Sequence, residues 1–214
     1  MLRQSRNRPD NWAGNLYTKY YGGKKARREF FDALAAWHHP ERVLYPGSFI
    51  HVTASFVFPS VVYVDIDRNA RRFFSETDAV AALIEKNKIF PQKPALVFHG
   101  TNYEAAIDEA ERSFDLLISF YAGFVSEHCR RYLKIGGILA ANNSHGDAGL
   151  AFINSGYEFI GVLQRRGEQL RVSEDNLDAY FESKKEVNEE ALRKLKRGIG
   201  YTKSAPAYLF RRVS

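Results

Sequence analysis

Cysteine is nearly absent from this 214-residue chain: Cys129 stands alone, which excludes an internal disulfide and a cysteine-rich zinc site. No run of about 18 apolar residues occurs, so no membrane-spanning helix is expected. The opening MLRQSRNRPDNW carries charge without an apolar stretch. It is therefore not read as a secretory signal, and a cytoplasmic protein is expected. Repeats and low-complexity tracts are missing too. Acidic residues are scarce at the start: as far as Arg28 the only one is Asp10, against eight lysines and arginines. A second basic group, Arg193, Lys194, Lys196, Arg197 and Lys203, lies near the other end, within a net charge of +6. Such clusters either contact phosphate or form solvated faces.

What remains is an ordinary globular composition, 45% hydrophobic and 26% charged, long enough for a substantial core. Strand and helix signals alternate. KKARREFFDALAAW places Ala26, Phe30, Leu34 and Trp37 on one helical face, ended by His38-His39-Pro40. Short apolar runs suited to buried strands recur at Arg42–Tyr45, Val61–Asp65, Ala95–His99, Asp115–Phe120, Gly137–Asn143, Tyr157–Leu163 and Ala207–Val213. Between the early strands, SETDAVAALIEKN reads as a helix opened by Ser75 with Asp78 three positions on. A short helix is expected after Tyr103, and a longer one where Phe124, His128 and Tyr132 lie beside Val125, Cys129 and Leu133, stopped by Gly136-Gly137. Cys129 thus falls on a packing face. A further helix is expected from Asp147 to Ser155-Gly156. About forty residues separate the last two strands, and an insert of that size is read as a lid, a substrate flap or an oligomer contact.

Glycine is also scarce in the stretch that carries the functional question. VLYPGSFIHVTASFVFPSVVYVDID, Val43 to Asp67, reads as strand, tight turn at Gly47, crossover, and a second strand ending in two carboxylates. That layout holds a nucleotide-like cofactor at the turn and grips its ribose with the acid. The turn has one glycine where such loops have two or three.

Four segments, in order and spacing, resemble the class I S-adenosylmethionine-dependent methyltransferases. VLYPGS stands at the family's first strand-turn, and VVYVDID at the acid that binds the ribose hydroxyls. FDLLISF is similar to its fourth-strand motif, and YLKIGGILAANN to its helix end, glycine pair and fifth strand. The resemblance runs from the helix at Lys24 to the last strand. It implies an α/β fold: a doubly wound, seven-stranded, mostly parallel sheet with helices on both faces and an antiparallel last strand. The expected organisation is a basic aromatic segment over 1–23 and one Rossmann-like methyltransferase domain over 24–214, with a helical insert at about 165–204.

The resemblance further implies S-adenosylmethionine as cofactor and methyl transfer to an acceptor, small molecule or nucleic acid, that the sequence leaves undecided. Its cofactor-binding candidates are Tyr45, Gly47, Ser48, Asp65, Ile66, Thr101, Asn102 and Ser119. Gly47 and Ser48 offer amides to the methionine end, Asp65 two acceptors to the ribose diol, and Thr101 with Asn102 an adenine contact. The family's acid at the end of the first strand is replaced by Tyr45, so the methionine amino group falls to Tyr45 or Asp67. Phe49 and His51 stand in place of further glycines, and the Phe49 ring is expected to turn toward a neighbouring helix.

Catalytic candidates are Tyr121 after the fourth strand, and His145 with Asp147 in NNSHGD after the fifth. With an ordinary pKa of about 6.5, His145 suits a general base that Asp147 would hold in one tautomer. The alternatives stay open: Asp65 as a capping or turn acid for the helix that follows, Asp147 as a helix cap, Thr101 and Asn102 as helix-start residues. No metal is expected, since His145 and Asp147 lack ligand spacing. No Asn-Pro-Pro-Tyr-like segment follows the fourth strand, which argues against the amino-methylating DNA enzymes. Two other readings stand beside the enzyme: a catalytically silent binding domain of the same fold, and a nucleic-acid-binding protein that uses its basic ends.

Overall fold

The computed structural model describes residues 12–23, 25–183, 189–195 and 200–214. The basic residues Arg3, Arg6, Arg8, Lys24, Lys196 and Arg197 lie outside the described residues. In chain order the elements are α1 (Trp12–Tyr21), α2 (Lys25–His38), β1 (Val43–Pro46), β2 (Ser60–Val64), α3 (Arg68–Ser75), α4 (Thr77–Asn87), β3 (Ala95–His99) and β4 (Phe114–Ser119). There follow α5 (Val125–His128), β5 (Leu133–Ala141), α6 (Asp147–Ile153), β6 (Tyr157–Arg166), β7 (Gln169–Ser173), α7 (Glu189–Leu195) and β8 (Ala207–Arg212).

The eight strands form one sheet in the order β3-β2-β1-β4-β5-β8-β6-β7. The first five are parallel, and β8 runs antiparallel to both β5 and β6. This is a doubly wound α/β sheet of Rossmann-like topology, with one edge strand more than expected. β1 and β2 are buried on both faces, so their side chains alternate between two cores. Val43, Tyr45, Val61 and Tyr63 join Phe31, Leu34 and Phe73 on one side. Leu44, Val62 and Val64 join Tyr132, Leu139 and Phe210 on the other. Strand order reverses between β1 and β4, and their carboxyl ends are the switch point where ligands of such sheets bind. Among the described residues no helix is long and apolar enough to cross a membrane.

Several local expectations are corrected. The insert begins as sheet rather than helix: Arg166 pairs with Gln169 across Gly167-Glu168, and Gly167 has φ of 62°, as a two-residue hairpin turn requires. The expected helix through Leu133 is only α5 and a 3₁₀ turn at Arg130–Tyr132. Leu133 already pairs with Phe114, and the buried Arg212 fixes the segment by donating to the carbonyls of Arg130 (2.7 Å) and Leu133 (2.5 Å). Gly136, at φ 80°, then serves a bulge in β5 instead of a helix stop.

Turns replace the short helix after Tyr103, held by the Tyr132 hydroxyl, which accepts from the Ile107 amide at 2.7 Å. A helix the sequence did not suggest, α3, is capped by Asp67, whose Oδ1 accepts from the amides of Asn69 (2.6 Å) and Ala70 (3.2 Å). Ser75 closes α3 by bonding the Arg72 carbonyl and does not open α4.

Candidate functional site

The turn after β1 is built by backbone geometry. Gly47 has φ of 64° and donates its N–H to the Val64 carbonyl at 2.8 Å. A Cβ there would lie 2.5 Å from Cβ of Ala122, so only glycine fits against the segment after β4. Phe49 also lies in the left-handed region, at φ 49°, the conformation a loop glycine would take. Its amide donates to Oδ2 of Asp65 at 2.7 Å, and the Asp67 amide donates to Oδ1 at 2.8 Å. The Asp65 carboxylate therefore ties the β1 turn to the end of β2. The Phe49 ring meets Tyr20 of α1 edge-on at 5.1 Å, turned toward a helix as expected.

Phe49→Gly exchanges a strained residue for an unstrained one but removes a half-buried ring. Losing about 2–3 kcal/mol of packing against roughly 1 kcal/mol of relieved strain should leave the variant about 1–2 kcal/mol less stable in urea unfolding. Unchanged or increased stability would show that strain dominates at this position.

Tyr45 does not reach the crevice. It is buried, and its hydroxyl lies 2.8 Å from Nδ1 of His51, itself buried. Burial and then the charge of Arg27 push the His51 pKa down to about 3, and burial raises that of Tyr45 well above its ordinary value. The pair is neutral, with the His51 ring packed between Tyr21 of α1 and Phe31 of α2. Tyr45 is thus committed to His51, and Asp67 caps α3 through Oδ1.

Beyond β3, Asn102 is exposed and closes a local turn, its Oδ1 accepting from the Glu104 amide at 3.0 Å. The adjacent Tyr103, which the sequence did not single out, reaches further. Its hydroxyl donates to the Gly123 carbonyl at 3.0 Å, and Cε1 lies 3.5 Å from where a Cβ of Gly47 would be. β3 and β4 are separated by β2 and β1, so this link passes over the carboxyl ends of both. Tyr103 and Ala122 together cover Gly47. The covering segment carries two more non-glycine residues in the left-handed region, Tyr121 at φ 61° and Phe124 at φ 57°. Such conformations cost on the order of 1–3 kcal/mol each and cluster at functional segments. Tyr121 is 50% exposed, and the Arg27 guanidinium lies over its ring at 4.8 Å.

His145 and Asp147 are not a pair. Asp147 is completely buried beneath the ends of β4 and β5. It accepts from the Ser119 hydroxyl, from the Ser126 hydroxyl at 2.5 Å, and from the Ser126 amide at 3.0 Å. Burial raises its pKa although those bonds oppose the shift. His145 instead has Nδ1 2.9 Å from the Ser144 hydroxyl and borders Gly123, where an added Cβ would meet its Cβ at 3.7 Å. Ser119 is likewise committed to Asp147 and buried. Ser48 is buried in the β1 turn, and Thr101 is half-buried. Ile66, by contrast, is 59% exposed beside Asp65. Cys129 is fully buried, and burial pushes its thiol up to about 12, which leaves it as packing. Among the described residues no group of three or more histidine, cysteine, aspartate or glutamate side chains could hold a metal.

No protein-family model matches the chain, and a search of curated proteins finds no match. Solved structures do resemble it. A methyltransferase from Geobacter sulfurreducens is 14% identical, with 94% of this chain and 89% of that one covered and a TM-score of 0.47. The tRNA (m1A58) methyltransferase from Aquifex aeolicus is 14% identical over 86% of this chain and 68% of its own, with a TM-score of 0.47. An O-methyltransferase of tomaymycin synthesis from Streptomyces achromogenes, in complex with S-adenosylmethionine, is 10% identical over 75% and 84%, with a TM-score of 0.47. At such identities and TM-scores the likeness assigns no chemistry to this chain.

Proposed function

We propose that the chain binds S-adenosylmethionine across the carboxyl ends of β1 and β2 and serves methyl transfer to an acceptor placed beyond β4. The observation that carries this reading is Asp65. Its half-buried carboxylate follows β2, the strand next to the β1–β4 switch point, beside a glycine turn, with each oxygen bonded to one backbone amide. Each oxygen keeps a lone pair, which suits a ribose diol. Ile66 offers an exposed apolar face to an adenine ring. The cofactor, when bound, supplies an electrophilic methyl group on a sulfonium. This chain's part is to orient it, exclude water and remove the acceptor's proton. We assign the acceptance of that proton to His145, a reading supported by its position beside Gly123 and its contact with the Ser144 hydroxyl.

At Gly47 the N–H is already bonded to the Val64 carbonyl at 2.8 Å, and Ala122 and Tyr103 take the space beside it. For the methionine end to approach, the Tyr103–Gly123 hydrogen bond opens and Ala122 withdraws. Tyr103→Phe removes the bond and keeps the ring, so it should tighten S-adenosylmethionine binding about two- to tenfold, the equivalent of one net hydrogen bond. A thermal-shift series with S-adenosylmethionine, S-adenosylhomocysteine and a nicotinamide cofactor tests both points. Stabilisation by the first two alone, larger in Tyr103→Phe, is the expected result.

The second reading is a binding domain without cofactor. It is favoured by the same covering of Gly47, and by Asp147 being engaged by serines instead of orienting His145. Absence of stabilisation in both proteins would establish it over the enzyme reading.

A further inference from the structure

A second cleft lies beside the β1 turn, where Arg27 also reaches the Tyr121 ring, and its ligand is argued without the cofactor reading. It has a volume of about 330 Å³ and is bounded by the end of α1, the start of α2 and the 3₁₀ turn at Val52–Phe56. His51 lines it and is only 3% exposed. Tyr45 occupies Nδ1, whereas Nε2 is buried with no hydrogen-bond partner among the described residues. A buried nitrogen left unpaired is costly, and native structures rarely keep one without a water or ligand to meet it.

The surroundings state which ligand. Arg27 and Arg28 line the cleft, and among the described residues no carboxylate does. Both arginines sit in the first turn of the 14-residue α2, which has no acidic residue there. Cations at that end of a helix oppose its dipole, whereas an anion would satisfy the dipole and the guanidinium groups together. Arg28 is partly matched by Asp32 at 3.6 Å. Among the described residues Arg27 has no carboxylate partner; its guanidinium is held between the rings of Tyr21 (5.1 Å) and Tyr121 (4.8 Å). The burial that keeps His51 neutral lets it act as a donor without adding charge. If the Tyr45 hydroxyl donates to Nδ1, the remaining proton is on Nε2.

We propose that this cleft binds the phosphate group of a small molecule, with Arg27 as the charge partner and the His51 Nε2–H as a buried donor. Phosphate suits a guanidinium fork, and the cleft has room for more than the bare ion. Tyr17, whose hydroxyl is 2.8 Å from that of Thr53, walls the remaining space.

The test is an NMR titration of the full-length ¹⁵N-labelled protein with inorganic phosphate. A saturable shift of the His51 Nε2 resonance is expected, with a Kd on the order of 1 mM. His51→Phe keeps the ring and loses the nitrogen; Arg27→Gln loses the charge. Each should weaken phosphate binding about tenfold, as removal of one charge-assisted hydrogen bond does. Phosphate affinity unchanged in either folded variant overturns the proposal, as do shifts confined to other basic residues. Binding of an RNA oligonucleotide without any response to phosphate overturns it in favour of a nucleic-acid surface. S-adenosylmethionine titrated into the same proteins is read separately, and its failure to bind leaves the phosphate result standing.

Discussion

Asp65→Ala is expected to weaken S-adenosylmethionine binding by about 1.5–3 kcal/mol, roughly ten- to a hundredfold, while the protein stays folded. Two losses combine in that number. The ribose hydroxyls lose a charged acceptor, and the Phe49 amide loses its bond to Oδ2. The second loss frees a residue held at φ 49°, so the β1 turn should relax toward ordinary backbone geometry and the site lose preorganisation. Calorimetric titration of the wild type and the variant measures the first effect, and hydrogen exchange at the Phe49 amide the second. Equal affinity in the two proteins would remove Asp65 from the cofactor site and leave it as a loop tie.

Asp147→Ala should have the largest effect on stability, about 3 kcal/mol, because it leaves the Ser119 and Ser126 hydroxyls and the Ser126 amide without their shared acceptor. Its pH dependence carries a definite sign. Burial raises the folded-state pKa of Asp147 above the unfolded value, so the folded protein binds the proton more tightly. The resulting stabilisation is complete below about pH 3.9, the ordinary aspartate range, and is lost as pH rises through the folded pKa. The loss on mutation should therefore be greatest under acid conditions, shrink as pH rises, and then level off. Urea unfolding of both proteins across pH measures this. A loss that grows with pH would mean the carboxylate form is the one the serines stabilise.

These two residues also show how far the sequence could be read. Asp65 was legible because it ends VVYVD, a continuous apolar run that can only be an inner strand. The same logic placed β1, β4 and β5, while their order in the sheet comes from the structure. Asp147 was visible as a residue but not as a contact. Its partners are 28 and 21 positions away, and nothing local in NNSHGD distinguishes a carboxylate that serves His145 from one buried under two strands.

The expected helix at 124–133 failed for a related reason. Its 3.6-residue spacing was genuine over two turns, but pairing of Leu133 with Phe114 and the Arg212 side chain drew the segment into the sheet. β7 was missed because Gln169–Ser173 alternates polar and apolar residues over only five positions after a single glycine. Tyr103 was beyond reach altogether. It lies in a turn beside the better-motivated Thr101 and Asn102, and its role depends on where β4 ends. Tyr45 and His51 depart from the methyltransferase pattern together. The structure explains the pairing: they are partners in one buried hydrogen bond.

The account turns on whether Gly47 becomes a ligand surface. The most direct measurement is a crystal structure of the protein saturated with S-adenosylhomocysteine. The account predicts ribose hydroxyls within hydrogen-bonding distance of the Asp65 carboxylate, adenine against Ile66, and the Tyr103–Gly123 bond opened, with Ala122 withdrawn from Gly47. A ligand bound elsewhere, or Tyr103 and Ala122 still packed on Gly47 at saturating concentration, would contradict it.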